Sequence, residues 1–372
     1  MIIAGEASGD LHGAKVVQSM RDRCAADLFF FGIGGKALKE AGVRICVDAS
    51  TIAVVGITEA FSKLYRLIKA VKMAKQLIAA FHPDLLILVD FPDFNLHVAA
   101  AAKKQGVPVL YYISPQVWAW RAGRVQKIGR LTDHIAVILP FEEAFYRKHG
   151  IPVTFVGHPL LDSDFSLFDQ TNERQPENFP VIGLLPGSRD KEIARHLPIM
   201  LDTVRILKKR IDGASFLISL APSLEKDYVE KLVRKYEPIE GVEFVSDRVE
   251  NIFKKCLLVV AASGTVTLEA AICGTPIVII YKMSALTYWL GKLLVRVKYI
   301  GLVNLIAEKM IVPELVQDRA SPKEISDVVL SMINDSKKLK SLRSDISSVR
   351  DALGPPGAAN RVADIAIRML AM

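Results

Sequence analysis

From Leu257 to Ile280 the chain reads LLVVAASGTVTLEAAICGTPIVII. The apolar run Leu257–Val260 predicts a buried strand, Ala261 to Thr265 a small-residue turn, and Thr265 to Ile272 a helix. Gly274-Thr275-Pro276 stops the helix, and Pro276–Ile280 predicts a second buried strand. The unit is therefore βαβ, with its turn directly ahead of a helix N-terminus. Free backbone N–H groups and the positive end of the helix dipole favour an anion there, such as a diphosphate. Glu269, one turn into the helix, is suited to accept hydrogen bonds from ribose hydroxyls.

The same alternation runs through the rest of the chain. Strands are predicted at Met1–Ala4, Phe29–Ile33, Leu85–Val89, Val107–Ile113, His134–Leu139 and Val153–Val156. Between them lie helices at Leu11–Arg21, Ile57–Phe81 and Phe141–His149. Leu161 to Pro180 is polar and weakly periodic, which marks a linker. The pattern then restarts with strands at Val181–Leu185, Phe216–Leu220 and Val242–Val245, ahead of the unit at Leu257, and a helix beginning at Asp190. Continuous apolar strands alternating with helices predict α/β architecture with mostly parallel sheets covered on both faces. Two such halves predict two Rossmann-like domains whose parallel sheets face a central cleft. The expected division is one domain over 1–165, a second over 166–345, and C-terminal helices over 346–372 that pack across domains or exchange in a dimer.

Composition narrows the class only slightly. The 372 residues are 51% hydrophobic and 24% charged, with a net charge of +8, a balance that suits anionic partners without choosing among them. Cys24, Cys46, Cys256 and Cys273 are far apart. They read as reduced thiols, not as a metal site or a disulfide frame. No uninterrupted apolar run reaches membrane-spanning length. The opening MIIAGEASGD is too short and too acidic for a secretory signal, and it starts so close to a strand that a residue or two upstream are expected.

Candidate chemistry collects where strands end. Pro186-Gly187-Ser188-Arg189 and Ser263-Gly264-Thr265 both follow strands, so both are expected at one sheet edge, where ligands bind in open α/β folds. Arg189 would place a guanidinium on a phosphate; the plainer alternative is a surface ion pair with Asp190 or Glu192. Neither turn has Walker A or GxGxxG spacing. In the first half, Ser8, Gly9 and Asp10 form a polar turn after the first strand, and Asp90 follows five apolar residues. A carboxylate at that position is a candidate general base, or else a helix cap. Asp93 is suited to capping a helix that begins near Phe94. His12, His97, His134, His158 and His196 read as structural, and no metal spacing stands out. The aromatic loop Pro115–Trp120, beside Arg121 and Arg124, is a packing loop or part of an acceptor site more readily than a nucleic-acid surface.

The helix Ile57–Phe81 adds a possible membrane contact. Ile57, Ala60, Phe61, Leu64, Tyr65, Leu67, Ile68 and Val71 share one arc, with Lys63, Arg66 and Lys69 opposite. A basic amphipathic helix suits an anionic interface, with Phe61, Leu64, Leu67 and Ile68 as acyl contacts; the alternative is a core-facing helix with a solvated basic face.

Taken in order, Gly5-Glu6-Ala7-Ser8-Gly9-Asp10, Asp90 to Asn95 (DFPDFN), Ser114 to Arg121 (SPQVWAWR), Leu185 to Arg189 (LPGSR), Ser263-Gly264-Thr265 with Glu269, and Asn304 resemble the signatures of the lipid-A-disaccharide synthase family, inverting glycosyltransferases of the GT-B fold. The resemblance covers nearly the whole chain. It implies transfer of 2,3-diacylglucosamine from UDP to the 6-hydroxyl of 2,3-diacylglucosamine 1-phosphate, giving a β-1,6 disaccharide phosphate and UDP. It further implies that 1–165 is the acceptor and membrane-facing domain and 166–345 the UDP-sugar-binding domain, with Asp90 as general base, Arg189 on the diphosphate, and Ser188, Ser263, Gly264, Thr265, Glu269 and Asn304 around the nucleotide. No metal or cofactor is implied, and the place of work is the cytoplasmic face of the inner membrane, with a homodimer possible. Asp190-Lys191 departs from the smaller residues expected after Gly-Ser-Arg. Two competing functions share parts of the pattern: a UDP-sugar 2-epimerase of the same fold, and a non-catalytic protein that binds UDP or membrane.

Overall fold

Runs of β-branched and aliphatic residues flanked by glycine and polar turns become the strands of two all-parallel sheets. In the computed structural model, which describes residues 1–50, 60–120, 122–162, 179–221, 224, 231, 234, 239–284, 288 and 297–371, the first sheet contains β1 (Ile2–Ala4), β2 (Phe31–Gly34), β3 (Arg44–Asp48), β4 (Leu86–Val89), β5 (Val109–Tyr112), β6 (His134–Val137) and β7 (Val153–Phe155), in spatial order β3-β2-β1-β4-β5-β6-β7. The second contains β8 (Val181–Leu185), β9 (Ser215–Ser219), β10 (Val242–Val245), β11 (Leu258–Ala262), β12 (Ile277–Tyr281) and β13 (Glu314–Val316), in order β10-β9-β8-β11-β12-β13. Both are α/β doubly wound sheets. The predicted linker falls mostly on residues 163–178, which lie outside the described residues.

Each sheet reverses its direction of growth once. In the first the reversal falls between β1 and β4, and in the second between β8 and β11. The loops leaving these strands diverge to opposite faces and leave a crevice at the carboxyl edge, the usual ligand position of such folds. Register places the loops side by side: Ala4 is level with Val89, so Gly5 adjoins Asp90. Leu185 is level with Ala261, so Pro186 adjoins Ala262.

The chain divides into two compact units, Met1–Asp162 with Leu353–Met372, and Ser163–Ala352. In the first, helices cover both faces of the sheet. Helix α1 (Ala7–Arg23) lies on one face. Its Ala14, Val17 and Met20 join Ile2, Val89, Tyr112 and Val362 in a continuous core. Helices α2 (Lys36–Glu40), α3 (Ala60–Phe81) and α4 (Pro92–Lys104) follow in this unit. Ala70, Ala74 and Ile78 of α3 and Phe94, Val98 and Ala102 of α4 fill the core on the opposite face, with Ile3, Leu88 and Tyr111. The second unit carries α5 (Asp190–Lys208), α6 (Thr265–Ile272), α7 (Leu302–Ile306) and α8 (Ser336–Ala352). Helix α9 (Ala358–Leu370) returns to the first unit and packs on α1. Asp162 fixes that return: its carboxylate accepts the N–H groups of Gly357, Ala358 and Ala359 at 2.5, 3.3 and 3.2 Å, where helix-end donors would otherwise be unmet.

Candidate active site

In the second unit, the turn after β8 and the turn after β11 line one cavity of about 270 Å³, together with Glu192, Ser219, Val249 and Glu269. Gly187 takes φ +123°, and a Cβ there would come within 2.8 Å of the Glu192 side chain. Glycine is therefore required for the turn to pass. Arg189 is the N-cap of α5. The backbone N–H of Ser188 donates to Glu192 at 3.3 Å, and Arg189 donates to the same carboxylate at 3.3 Å. The plainer alternative for Arg189, an ion pair with Glu192, is thus present in the structure, on a side chain that is 81% exposed.

His196 holds this turn from below. Its Nε2 accepts from the Lys282 N–H at 3.0 Å, so Nδ1 carries the proton and donates to the Pro186 carbonyl at 2.9 Å. Burial lowers its pKa and keeps the ring neutral. The second turn is open: Gly264 is extended and exposed, and a side chain there would meet nothing. Thr267 caps back onto the Gly264 carbonyl through both its N–H (3.1 Å) and its hydroxyl (2.7 Å). As in any helix, the first amides of α6 have no acceptor within it. Glu269 is partly buried and lines the same cavity. Burial and, secondarily, repulsion from Glu250 push its pKa up to about 7.

Asn304 is not among the residues that line this cavity. It is fully buried, and its amide is saturated: Nδ2 donates to the Val312 carbonyl at 2.9 Å and to Glu314 at 2.8 Å. Its oxygen accepts the N–H groups of Ile311 and Val312 at 2.8 and 2.9 Å. Glu314 in turn accepts from Ile300 and Gly301 at 2.9 and 3.0 Å, and the Ile300 carbonyl accepts from the Ser263 hydroxyl at 3.3 Å. Asn304 thus supports the Ser263 turn through a chain of hydrogen bonds.

In the first unit, Asp90 sits just past β4. Its N–H still pairs with the Tyr112 carbonyl at 3.1 Å. Asp90 and Phe91 both have φ +48°, left-handed backbone that is unusual for such residues. The Phe91 ring covers Gly5, where a Cβ would come within 2.2 Å of it, and stacks on Phe94 at 5.1 Å. Burial, then repulsion from Glu6, raises the Asp90 pKa. A raised pKa makes the carboxylate a stronger base.

Three expectations are corrected here. Helix α1 begins at Ala7, not Leu11, so Ser8, Gly9 and Asp10 form its first turn. Asp10 is buried, and its two oxygens accept from Gly35 at 2.6 Å and Ala37 at 2.8 Å, capping α2. Asp93 is not the cap of α4. Pro92 opens that helix after Phe91, leaving Asp93 73% exposed in an ion pair with Arg124 at 2.8 Å. On α3, Leu67 and Val71 pack against the core, whereas Tyr65 and Ile68 are 68% and 59% exposed. The expected single apolar arc is therefore split between core and surface, because the core stripe is centred on Ala70, Ala74 and Ile78. Ile57 and the side chains of Ala60, Phe61 and Leu64 lie outside the described residues. The aromatic loop is held by packing: Trp118 donates to Glu142 at 3.0 Å and meets Phe141 edge-on at 4.7 Å.

Sequence comparison decides the family. Residues 1–365 match the family described as lipid-A-disaccharide synthetase. The chain belongs to this family. Among its relatives, lipid-A-disaccharide synthase of Geobacter metallireducens is 45% identical over all of this chain and 97% of that protein, and that of Syntrophus aciditrophicus is 44% identical over the same shares. Solved structures at lower identity share the GT-B fold. UDP-GlcNAc 2-epimerase from Neisseria meningitidis bound to UDP-GlcNAc superposes with a TM-score of 0.61 at 13% identity, over 100% of this chain and 98% of that one. The calicheamicin glycosyltransferase CalG4 gives 0.60 at 14%, over 100% and 98%. Family members are glycosyltransferases, and this chain is one.

Proposed function

We infer that the protein is an inverting glycosyltransferase that moves 2,3-diacylglucosamine from UDP to the 6-hydroxyl of 2,3-diacylglucosamine 1-phosphate, releasing UDP and the β-1,6 disaccharide 1-phosphate. Membership of the family over residues 1–365 carries this conclusion, and the two sheet-edge sites supply chemistry suited to it. The cavity of the second unit takes the UDP end of the donor in this reading. The α6 N-terminus and Arg189 neutralise the diphosphate, Ser188, Ser263, Gly264 and Thr265 contact it, and Glu269 accepts from the ribose. Arg189 exchanges Glu192 for the diphosphate when donor binds. Asp90 takes the proton from the acceptor 6-hydroxyl as that oxygen attacks the anomeric carbon from the side opposite UDP. The bond from that carbon to the diphosphate oxygen breaks, and the leaving charge passes to the groups just named. Ser8, exposed in the first turn of α1, and Gly9, buried beside Val89, lie at the carboxyl edge of the same sheet as Asp90.

Both substrates carry acyl chains, so the protein is proposed to work at the cytoplasmic membrane surface, and a homodimer is compatible with this. Among the described residues no helix is long and apolar enough to cross a membrane. The exposed Tyr65 and Ile68 on α3, beside Arg66, Lys69 and Lys72, are suited to lie against anionic lipid. A 2-epimerase shares the fold but needs no acyl surface. Incubation with UDP-GlcNAc separates the two: an epimerase converts it to UDP-ManNAc, whereas the proposed transferase leaves it unchanged without a lipid acceptor.

A further inference from the structure

Asp90 occupies a backbone conformation that its own sequence does not favour. Two consecutive non-glycine residues, Asp90 and Phe91, are left-handed, and such residues persist only where their surroundings over-determine them. Space is provided by Gly5 under the Phe91 ring. Space alone does not set the direction of the Asp90 side chain, however. The carbonyl that the left-handed turn swings inward is met by two donors. The Tyr111 hydroxyl reaches it at 2.9 Å from β5, and Asn95 Nδ2 reaches it at 2.5 Å from α4. The same Nδ2 lies 3.3 Å from the Val89 carbonyl, spanning the peptide immediately before the kink.

Both donors are fully buried. Tyr111 remains a phenol at any working pH, because burial and then the Asp90 charge drive its pKa well up. Each costs the core something to bury; the Tyr111 hydroxyl is spent on the Asp90 carbonyl, and the Asn95 amide nitrogen on the Asp90 and Val89 carbonyls. Tyr112, equally buried and adjacent in sequence, faces the opposite core and makes no such bond.

We propose that Asn95 and Tyr111 are positioning residues for the transferase reaction: together they clamp the Asp90 carbonyl, lock the left-handed kink and so aim the Asp90 carboxylate at the acceptor hydroxyl. The inference rests on the assignment of Asp90 as general base. A proton-transfer geometry missed by about 1 Å can lower a rate 10²-fold, so partial loosening of the clamp is felt in turnover before it is felt in binding.

The test compares Tyr111→Phe, Asn95→Leu, the double variant, Tyr112→Phe and Asp90→Asn by steady-state kinetics and melting temperature. Tyr111→Phe keeps the ring that fills the core, so it remains informative even if Asn95→Leu fails to fold. It is expected to lower kcat by about 10-fold with both KM values within about twofold. The double variant is expected to approach Asp90→Asn. The acid limb of the kcat–pH profile should move to lower pH in Tyr111→Phe, as a freed carboxylate leaves its burial. Glu6, ahead of α1, is the charged group that acts on the Asp90 carboxylate, while Asp90, Tyr146 and Asp93 act on the Tyr111 hydroxyl. Tyr112→Phe should keep the parental kcat and acid limb. Parental kcat and acid limb in Tyr111→Phe, with only a lowered melting temperature, would overturn the clamp while Asp90→Asn remains inactive. An active Asp90→Asn would overturn the base assignment and this inference with it.

Discussion

Asn304 offers a clean separation between two roles that both look like loss of function. As a nucleotide contact, its removal would weaken UDP binding and leave the fold intact. In the structure its amide makes four hydrogen bonds, three with backbone groups of Ile311 and Val312 and one with Glu314, all out of solvent. Asn304→Ala removes every one. Neutral bonds are worth roughly 1 kcal/mol net and a bond to a charged partner roughly 1.5–3, with stranded buried groups adding to the cost. Allowing for partial relaxation, the loss is about 3–5 kcal/mol, a large part of the ~5–15 kcal/mol that keeps a domain folded. For a unit of this size that lowers the melting temperature by roughly 10 °C. The assays are differential scanning fluorimetry without ligand and isothermal titration with UDP at 10 °C, where the variant is still folded. The expected outcome is the large melting shift, with a several-fold weakening of UDP caused by slack in Ile300 and Ser263. An unchanged melting temperature with a lost UDP site would refute this and restore Asn304 as a direct contact.

Other outcomes follow from the same geometry. Arg189→Ala is expected to weaken UDP-sugar binding by about 10-fold or more, since it removes a charge-assisted contact worth roughly 1.5–3 kcal/mol; parental kinetics in a folded variant would rule this out. UDP affinity should rise between about pH 6 and pH 8 as Glu269, with its pKa near 7, becomes the carboxylate that accepts from ribose, and Glu269→Gln should flatten that rise. The sign for stability is opposite: a carboxyl whose folded pKa is raised favours folding below its unfolded value of about 4.5 and loses that benefit as pH climbs to 7, so the parent should melt lower at pH 8 than at pH 5 by more than Glu269→Gln does. On α3, Leu67→Ser is expected to destabilise, by up to the roughly 1.5–3 kcal/mol that burial of a large apolar side chain supplies. Tyr65→Ser with Ile68→Ser should stay folded and lose co-sedimentation with anionic vesicles. Full sedimentation of that pair at high salt would show that lipid is met elsewhere.

The parts that could be read from sequence are those where the cause is local. Thr265–Ile272 is helical over the predicted span, because a small-residue turn starts it and Gly274 ends it. The buried strands fall within a residue or two of their apolar runs, as at Val181–Leu185 and Leu258–Ala262. Convergence of the Gly187 and Ser263 turns followed from parallel strands sharing one edge. What was not legible depends on partners distant in sequence. Ser8, Gly9 and Asp10 have turn chemistry, yet Gly9 is buried near Val89 and Asp10 is spent on Gly35 and Ala37. Nothing near Asn304 announces that residues 311–314 will saturate it. The strands Arg44–Asp48 and Glu314–Val316 are edge strands, partly exposed and short, so they lack an apolar run. The left-handed kink at Asp90 has no glycine to advertise it; its signal, Gly5, lies just past another strand.

The most direct measurement of the central claim is incubation of the purified protein with UDP-2,3-diacylglucosamine and 2,3-diacylglucosamine 1-phosphate, with mass spectrometry of the lipid fraction. The expected result is a new species at the mass of the disaccharide 1-phosphate, stoichiometric with released UDP and absent with Asp90→Asn. Parental protein that consumes neither lipid but interconverts UDP-GlcNAc and UDP-ManNAc, or that binds UDP with no product at all, would contradict it.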